Sequence, residues 1–261
     1  MNILINGICG HMGREVAKLA KDGYRGSVLS VGVDINADGS EAPISVKSFG
    51  EIISINEVDC IVDFSHHSCA PALLDFAVEN GIPTVVATTG HTPEEIAKIH
   101  EAARSIPVFF SANMSLGVAL LVELAKTAAK AMPDAEIEII EQHHDRKIDA
   151  PSGTALMIAN AITEVRPNAY VNNGRSGQGK RTPDEIGIHA VRMGNIVGIH
   201  EVMIGTQNQT ITLKHEAYSR ALFAEGALCA AEFLVDCGAG LYDMKSIVSG
   251  ASAKDAAMSA N

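Results

Sequence analysis

Tryptophan is absent from this 261-residue chain, and aromatic residues make up only 4% of it. Positive charge is also scarce: 20 Lys and Arg face 31 Asp and Glu, a formal net charge of −11. So negative a chain repels nucleic acid and anionic membrane surfaces unless it concentrates its cations locally, so neither partner is expected. The five cysteines are an odd number and none forms a C-x-x-C pair, which supports neither a disulfide framework nor a zinc ribbon. No apolar run approaches the 18 residues of a membrane span; the stretch from Leu116 to Val122 stops at Glu123. The opening residues carry no basic region and reach Gly7 too early for a secretory leader, so a cytoplasmic location is expected. What remains is 47% apolar and 20% charged, the composition of an ordinary α/β protein long enough for one or two domains.

Strand and helix patterns alternate along the first half. Asn2 to Asn6, Ser27 to Val33, Asp59 to Phe64, Pro83 to Ala87 and Val108 to Ser111 read as strands. Arg14 to Asp22, Ala70 to Glu79 and a segment from Thr92 to about Arg104 read as helices. This rhythm predicts a doubly wound parallel sheet. After Ser115 the pattern changes. A long helix covers Leu116 to Met132, and a half-wet strand covers Ala135 to Ile140. A second helix follows Pro151-Ser152-Gly153, and a polar, Gly-rich loop spans 172–183. Ile186 to Arg192, Gly198 to Ile204 and Gln209 to His215 then read as strands without intervening helices, and Tyr218 to Cys237 as a helix. An α+β second domain with a largely antiparallel sheet is therefore expected.

Gly7-Ile8-Cys9-Gly10-His11-Met12-Gly13 joins the first strand to the first helix. Glycines there let the backbone approach a pyrophosphate, whose charge rests on the free N–H groups of the helix start. The spacing is G-x-x-G-x-x-G, and by itself it also fits a plain turn needing positive φ. Asp34 shifts the balance: it ends the second strand 21 positions after Gly13, where an acid accepts hydrogen bonds from an adenosine ribose. No Arg or Lys follows Asp34 before Lys47, so a 2′-phosphate would meet a carboxylate without a nearby cation; NADH is expected over NADPH.

The segment from Glu141 to Ala155 packs two His, one Arg and one Lys into the five positions His143 to Lys147. A solvated turn, a metal site and an anion pocket compete as explanations. Adjacent histidines on extended chain point to opposite faces, and no H-E-x-x-H spacing appears, so no metal is expected. Imidazoles titrate near neutrality, Lys147 can donate a proton, and Ser152-Gly153-Thr154 opens a helix whose free N–H groups suit a carboxylate. A cationic arm leading into such a terminus favours a small organic acid.

The run E-x-H-H-x-x-K-x-D-A-P-S-G-T-A resembles the signature of the dihydrodipicolinate reductases. Val62-Asp63-Phe64-Ser65, Ala87-Thr88-Thr89-Gly90, Ser111 to Ser115, Val191 to Gly198, Lys214-His215 and Ser219-Arg220 resemble further stretches of that family. The resemblance implies a homotetramer with a Rossmann domain (residues 1–115 and 221–261) and a substrate and assembly domain (116–220). It implies reduction of 4-hydroxy-tetrahydrodipicolinate by NADH or NADPH, with loss of water, in lysine and diaminopimelate synthesis. His143 would be the proton donor and acceptor and Lys147 a proton donor, while His144, Gly153 and Thr154 would hold a substrate carboxylate. Gly7, Ile8, Cys9, Gly10, His11, Met12, Asp34, Ala87, Thr88, Thr89, Ser111, Ala112, Asn113 and Met114 would hold the nucleotide. Two positions depart from the family pattern: Ile35 replaces a frequent basic residue after the ribose-binding acid, and His66 a frequent arginine.

Two other readings make different demands. A semialdehyde dehydrogenase would want a nucleophilic cysteine in the second half, but none of the five lies between residues 70 and 228. A non-catalytic nucleotide-binding regulator would have no need of His143, His144 and Lys147 beside a helix start.

Overall fold

The computed structural model describes residues 1–52 and 58–250; the small-residue tail 251–261, which the family resemblance assigns to the Rossmann domain, lies outside the described residues. The chain divides into two compact units, Met1–Ser115 with the segment from Ala221 onward, and Leu116–Arg220.

In the first unit strands and helices follow one another as β1 (Asn2–Asn6), α1 (His11–Lys21), β2 (Val28–Val33), β3 (Ile44–Val46), β4 (Cys60–Asp63), α2 (Ala70–Asn80), β5 (Thr84–Val86), α3 (Pro93–Ala102) and β6 (Pro107–Phe110). The strands are short, continuous and apolar because both faces of a parallel sheet are covered: Ile3, Leu4 and Ile5 in β1, and Cys60, Ile61 and Val62 in β4, are wholly buried. The helix starts carry their own signals. Thr92 caps α3 from its side chain while Glu95 reaches back to the Thr92 N–H, so two otherwise unpaired donors are satisfied.

The second unit runs α4 (Leu116–Ala131), β7 (Glu136–His143), α5 (Gly153–Thr163), β8 (Tyr170–Asn173), β9 (Glu185–Arg192), β10 (Gly198–Thr206) and β11 (Gln209–Ala217). Its sheet has the order β11-β10-β7-β9-β8. The pairings β10 with β11 and β10 with β7 are antiparallel, whereas β7 with β9 and β8 with β9 are parallel. The expected α+β unit is therefore present, but its sheet is mixed rather than largely antiparallel. Strands β9 and β10 are consecutive and run in opposite directions, yet β7 enters between them and pairs with both. β7 alternates buried and half-buried residues, and Ile137 and Ile139 pack into a core with Leu121, Ile158, Ile186 and Val202. The polar loop expected at 172–183 gives its first two residues to β8.

The chain then returns to the first unit as α6 (Ala221–Leu234), β12 (Gly240–Tyr242) and α7 (Met244–Val248). All pairings in the seven-stranded sheet are parallel, in the order β12-β6-β5-β4-β1-β2-β3. The winding reverses between β1 and β4, and crevices beyond the carboxyl ends of strands at such a reversal bind ligands in doubly wound sheets. Gly7 directly follows β1. No described helix is long and apolar enough to cross a membrane.

Candidate active site

Close packing dictates the shape of the glycine loop. Gly7 sits at φ +84°, and a Cβ there would lie 2.7 Å from the Phe64 carbonyl oxygen; one on Gly13 would lie 2.1 Å from the Gly7 oxygen. Only glycine lets the loop pass over β4 and start α1 so tightly. Gly10 caps α1 without any side-chain hydrogen bond, and the first turn of the helix carries no acid. A bare helix start beneath a glycine cradle fits the pyrophosphate of a dinucleotide. Asp34 is joined to this loop, since its Oδ2 accepts the Cys9 N–H at 3.1 Å and its Oδ1 accepts the Asn36 N–H at 2.9 Å. Beneath the loop, buried Asp63 accepts from Asn6 Nδ2 at 2.7 Å and from Ser65 Oγ at 2.6 Å, pinning the ends of β1 and β4 together. Burial pushes the Asp63 pKa up against these hydrogen bonds.

Beside the loop lies a cavity of about 440 Å³ whose lining includes His11, Met12, Ala87, Thr88, Thr89, Ala112 and Met114. Seven of the residues expected at the nucleotide thus face one space. Ser111 and Asn113 shape the loop after β6: Ser111 Oγ donates to the Asn113 carbonyl at 2.9 Å, and Asn113 Oδ1 accepts the Ser115 N–H at 2.9 Å. The same cavity is lined by His67 and Phe223, which the sequence does not single out, by Phe64 and Ser65, quoted above only within a family-like stretch, and by His66, noted only as a departure.

The second cluster grows from the end of β7, which runs three residues further than the sequence pattern predicts and so takes in Glu141 and His143. Residues two apart on a strand share a face. Glu141 is completely buried, and its Oε2 accepts from His143 Nδ1 at 2.6 Å. Arg192, at the end of β9, clasps the same carboxylate with Nη1 at 2.8 Å and Nη2 at 2.6 Å. The backbone N–H of Ser152 adds a fourth bond at 3.0 Å. Burial would raise the Glu141 pKa, but the His143 and Arg192 hydrogen bonds outweigh it and hold the group down at about 2. An ionised carboxylate can only accept, so the His143 Nδ1 carries a proton and Nε2 is left for other partners.

Around this pair stand the other expected residues. The His144 N–H donates to the Ile196 carbonyl at 2.8 Å, and burial followed by Arg146 and Arg220 lowers the pKa of its ring. Lys147 Nζ pairs with Asp149 Oδ1 at 2.8 Å. Ser152 caps α5 by accepting the Ala155 N–H, which places Gly153 and Thr154 in the first helical turn. The Ser152 hydroxyl also meets His200 Nε2 at 3.1 Å. Burial, then the neighbouring His143, depresses His200 to about 4, so it is neutral near pH 7. Glu141 entered the sequence reading only as a letter of the signature. Its spacing from His143 on a strand was the available signal; Arg192, 51 residues from Glu141, appeared only within the family-like stretch Val191 to Gly198, with nothing to tie it to that acid.

Fold and side chains together define a pyridine-nucleotide-dependent oxidoreductase with a Rossmann-type unit. A family model for the N-terminus of dihydrodipicolinate reductase matches residues 1–114, and one for its C-terminus matches residues 117–248. The chain belongs to the dihydrodipicolinate reductase family. It is 45% identical to the 4-hydroxy-tetrahydrodipicolinate reductase of Caldanaerobacter subterraneus subsp. tengcongensis, over 95% of this chain and 98% of that one. It is 38% identical to the same enzyme of Clostridium novyi, over 94% and 97%. Among solved structures it is similar to a dipicolinate-bound dihydrodipicolinate reductase from Paenisporosarcina sp. TG-14, with TM-score 0.79 and 27% identity over 95% of this chain and 99% of that chain. A probable dehydrogenase from Thermotoga maritima, at 11% identity and TM-score 0.61, shares the fold, covering 99% of this chain and 93% of its own.

Proposed function

We propose that His143 and Lys147 supply the protons, and Asp34 and the glycine loop the nucleotide site, for the reaction of this reductase. The reaction is reduction of 4-hydroxy-tetrahydrodipicolinate to tetrahydrodipicolinate with loss of water, a step of lysine and diaminopimelate biosynthesis. The 4-hydroxyl leaves as water to give a conjugated, unsaturated imine, and NADH, when bound, would supply the hydride that adds to C4 of that ring. Negative charge then builds on the conjugated nitrogen side of the ring and must be neutralised. His143, held by Glu141 through Nδ1, delivers a proton from Nε2, and Lys147 is the second donor. Neutral His144 and the first turn of α5, with the N–H groups of Gly153 and Thr154, hold a ring carboxylate.

The observation that carries this reading is the buried Glu141 brace. A solvent-facing polar turn has no use for a completely buried carboxylate with four hydrogen bonds that leaves one imidazole nitrogen aimed elsewhere. The test is an assay of purified protein with both nucleotides. NADH consumption that depends on added hydroxy-tetrahydrodipicolinate, and a kcat loss of about 10²–10⁴-fold in His143→Ala and in Lys147→Ala, are expected. Losses below threefold in both variants, or NADH binding without turnover, would overturn the assignment.

The working form in this reading is a homotetramer in the cytoplasm. Strand β11 lies at the open edge of its sheet and is largely exposed, with Ile211 40% accessible, and an uncovered edge of this kind suits pairing with another copy. All five cysteines are unpaired thiols, as a reducing compartment keeps them. Light scattering of the purified protein tests the assembly; a monomer would refute it.

A further inference from the structure

The loop after β2 brings a second acid to the glycine loop. Asp34 and Glu41 grip the two polar ends of Cys9: Asp34 Oδ2 accepts its backbone N–H at 3.1 Å, and Glu41 Oε1 accepts its thiol S–H at 3.4 Å. Glu41 Oε1 also accepts the Asp38 N–H at 3.2 Å. The other oxygen, Oε2, is shielded from solvent, and the Glu41 N–H and the Ser45 hydroxyl add to the hydrogen bonds on this carboxylate. Glu41 is fixed in its charged form, because the Asp38 N–H first and other hydrogen bonds after it hold its pKa at about 2. Burial, then the Glu41 hydrogen bond, raises the Cys9 thiol to about 11, so it stays a donor. Arg14, exposed on α1, acts on that thiol with the opposite sign, and less than either acid.

The two forms of the nucleotide differ in what they bring to this corner. A ribose diol is uncharged and offers hydroxyl donors, which a carboxylate such as Asp34 can accept. A 2′-phosphate brings nearly two negative charges and acceptor oxygens only. Resting on the reading that Asp34 holds the adenosine ribose, we propose that Glu41 is a specificity-determining residue, a second carboxylate beside that corner whose charge bars a 2′-phosphate. Ile35 then needs no basic replacement, because the exclusion is carried by a residue seven positions from Asp34 in sequence.

The test is equilibrium binding of NADH and of NADPH to the substrate-free protein, followed by nicotinamide fluorescence, in the wild type and in Glu41→Gln. Glutamine keeps the shape and an acceptor for Cys9 and Asp38 but removes the charge. The wild type is expected to bind NADH more tightly. Glu41→Gln should narrow the NADPH-to-NADH Kd ratio by roughly tenfold, mainly by tightening NADPH, as removal of one charge a few ångströms from another predicts. A ratio within twofold of wild type overturns the role of Glu41. Should the variant melt early, the wild type still decides: raising salt from roughly 20 to 300 mM screens the repulsion and should narrow the same ratio, and a ratio that stays put overturns the proposal. A wild type that binds NADPH as tightly as NADH removes the cofactor reading, and Glu41 with it. A preference for NADH that survives both changes removes Glu41 alone.

Discussion

His143 Nδ1 and Glu141 Oε2 lie 2.6 Å apart on one face of β7, two residues from each other in the chain. That bond settles which imidazole nitrogen is available for chemistry, and the Arg192 fork on the same carboxylate keeps it ionised. In Glu141→Gln the amide can donate as well as accept, so the tautomer of His143 is no longer fixed and Arg192 loses its charged partner. A kcat loss on the order of 10²-fold or more, with a smaller change in the substrate KM, is the expected result. Steady-state kinetics at pH 7 check it; kcat within threefold of wild type would separate Glu141 from the proton transfer.

Stability should fall in acid in two stages. His200 has its folded pKa depressed from 6.5 to about 4, so the unfolded chain binds the proton first; its share is complete above about pH 6.5 and is lost as pH drops towards 4. Glu141 is depressed from 4.5 to about 2, so its share is complete above about pH 4.5 and disappears as pH falls towards 2. The Tm should therefore decline from pH 7 to 4 and more steeply below. His200→Gln should flatten the first stage only, which calorimetry across pH 3 to 8 would show. An unchanged slope above pH 4.5 in that variant would remove His200 as the cause.

Much of the first unit could be read from the chain because its signals are local. Short apolar strands end at Gly7 and Asp34, the Thr92 and Glu95 capping box opens α3, and Gly81 closes α2. Strands β3, β8 and β12 went unread because, unlike the equally short β4, β5 and β6, they have no run of buried apolar residues; they exist through pairing with β2, β9 and β6. The mixed second sheet depends on β7 entering between β9 and β10, a choice made by tertiary packing. The candidate site divides in the same way. His143, His144, Lys147 and the α5 start are neighbours in sequence, whereas Arg192, His200 and Glu41 reach their partners across 51, 48 and 32 residues.

Two glycines predict opposite outcomes when replaced by alanine. At Gly13 the new methyl would stand 2.1 Å from the Gly7 oxygen, so the glycine loop must shift; Gly13→Ala should melt several degrees lower and lose NADH binding by more than tenfold. At Gly153 a Cβ meets nothing within 4 Å, so Gly153→Ala should keep the wild-type Tm and NADH affinity. Its methyl stands at the start of α5, where a ring carboxylate is expected, so the substrate KM should rise severalfold. Thermal melts with and without NADH, and substrate titrations, distinguish the two. A wild-type KM in Gly153→Ala would take the α5 start out of the substrate site.

Gly198 gives the most local probe of the proposed proton donor. It opens β10, opposite the end of β7, and a Cβ built on it would lie 3.2 Å from His143 Nε2 and 3.9 Å from His200 Cε1. Such a contact is tight enough to make a ring yield by a few tenths of an ångström without forcing the strands apart, and His143 is held on its other side by Glu141. Gly198→Ala should therefore crowd the nitrogen proposed to hand over the proton while leaving Glu141, Arg192 and Lys147 in place. The expected result is a kcat loss of about ten- to a hundredfold with Tm within about 2 °C of wild type and unaltered NADH binding. If the proton instead came from Lys147 alone, kcat would stay at the wild-type value, because the atoms nearest the new methyl belong to His143 and His200.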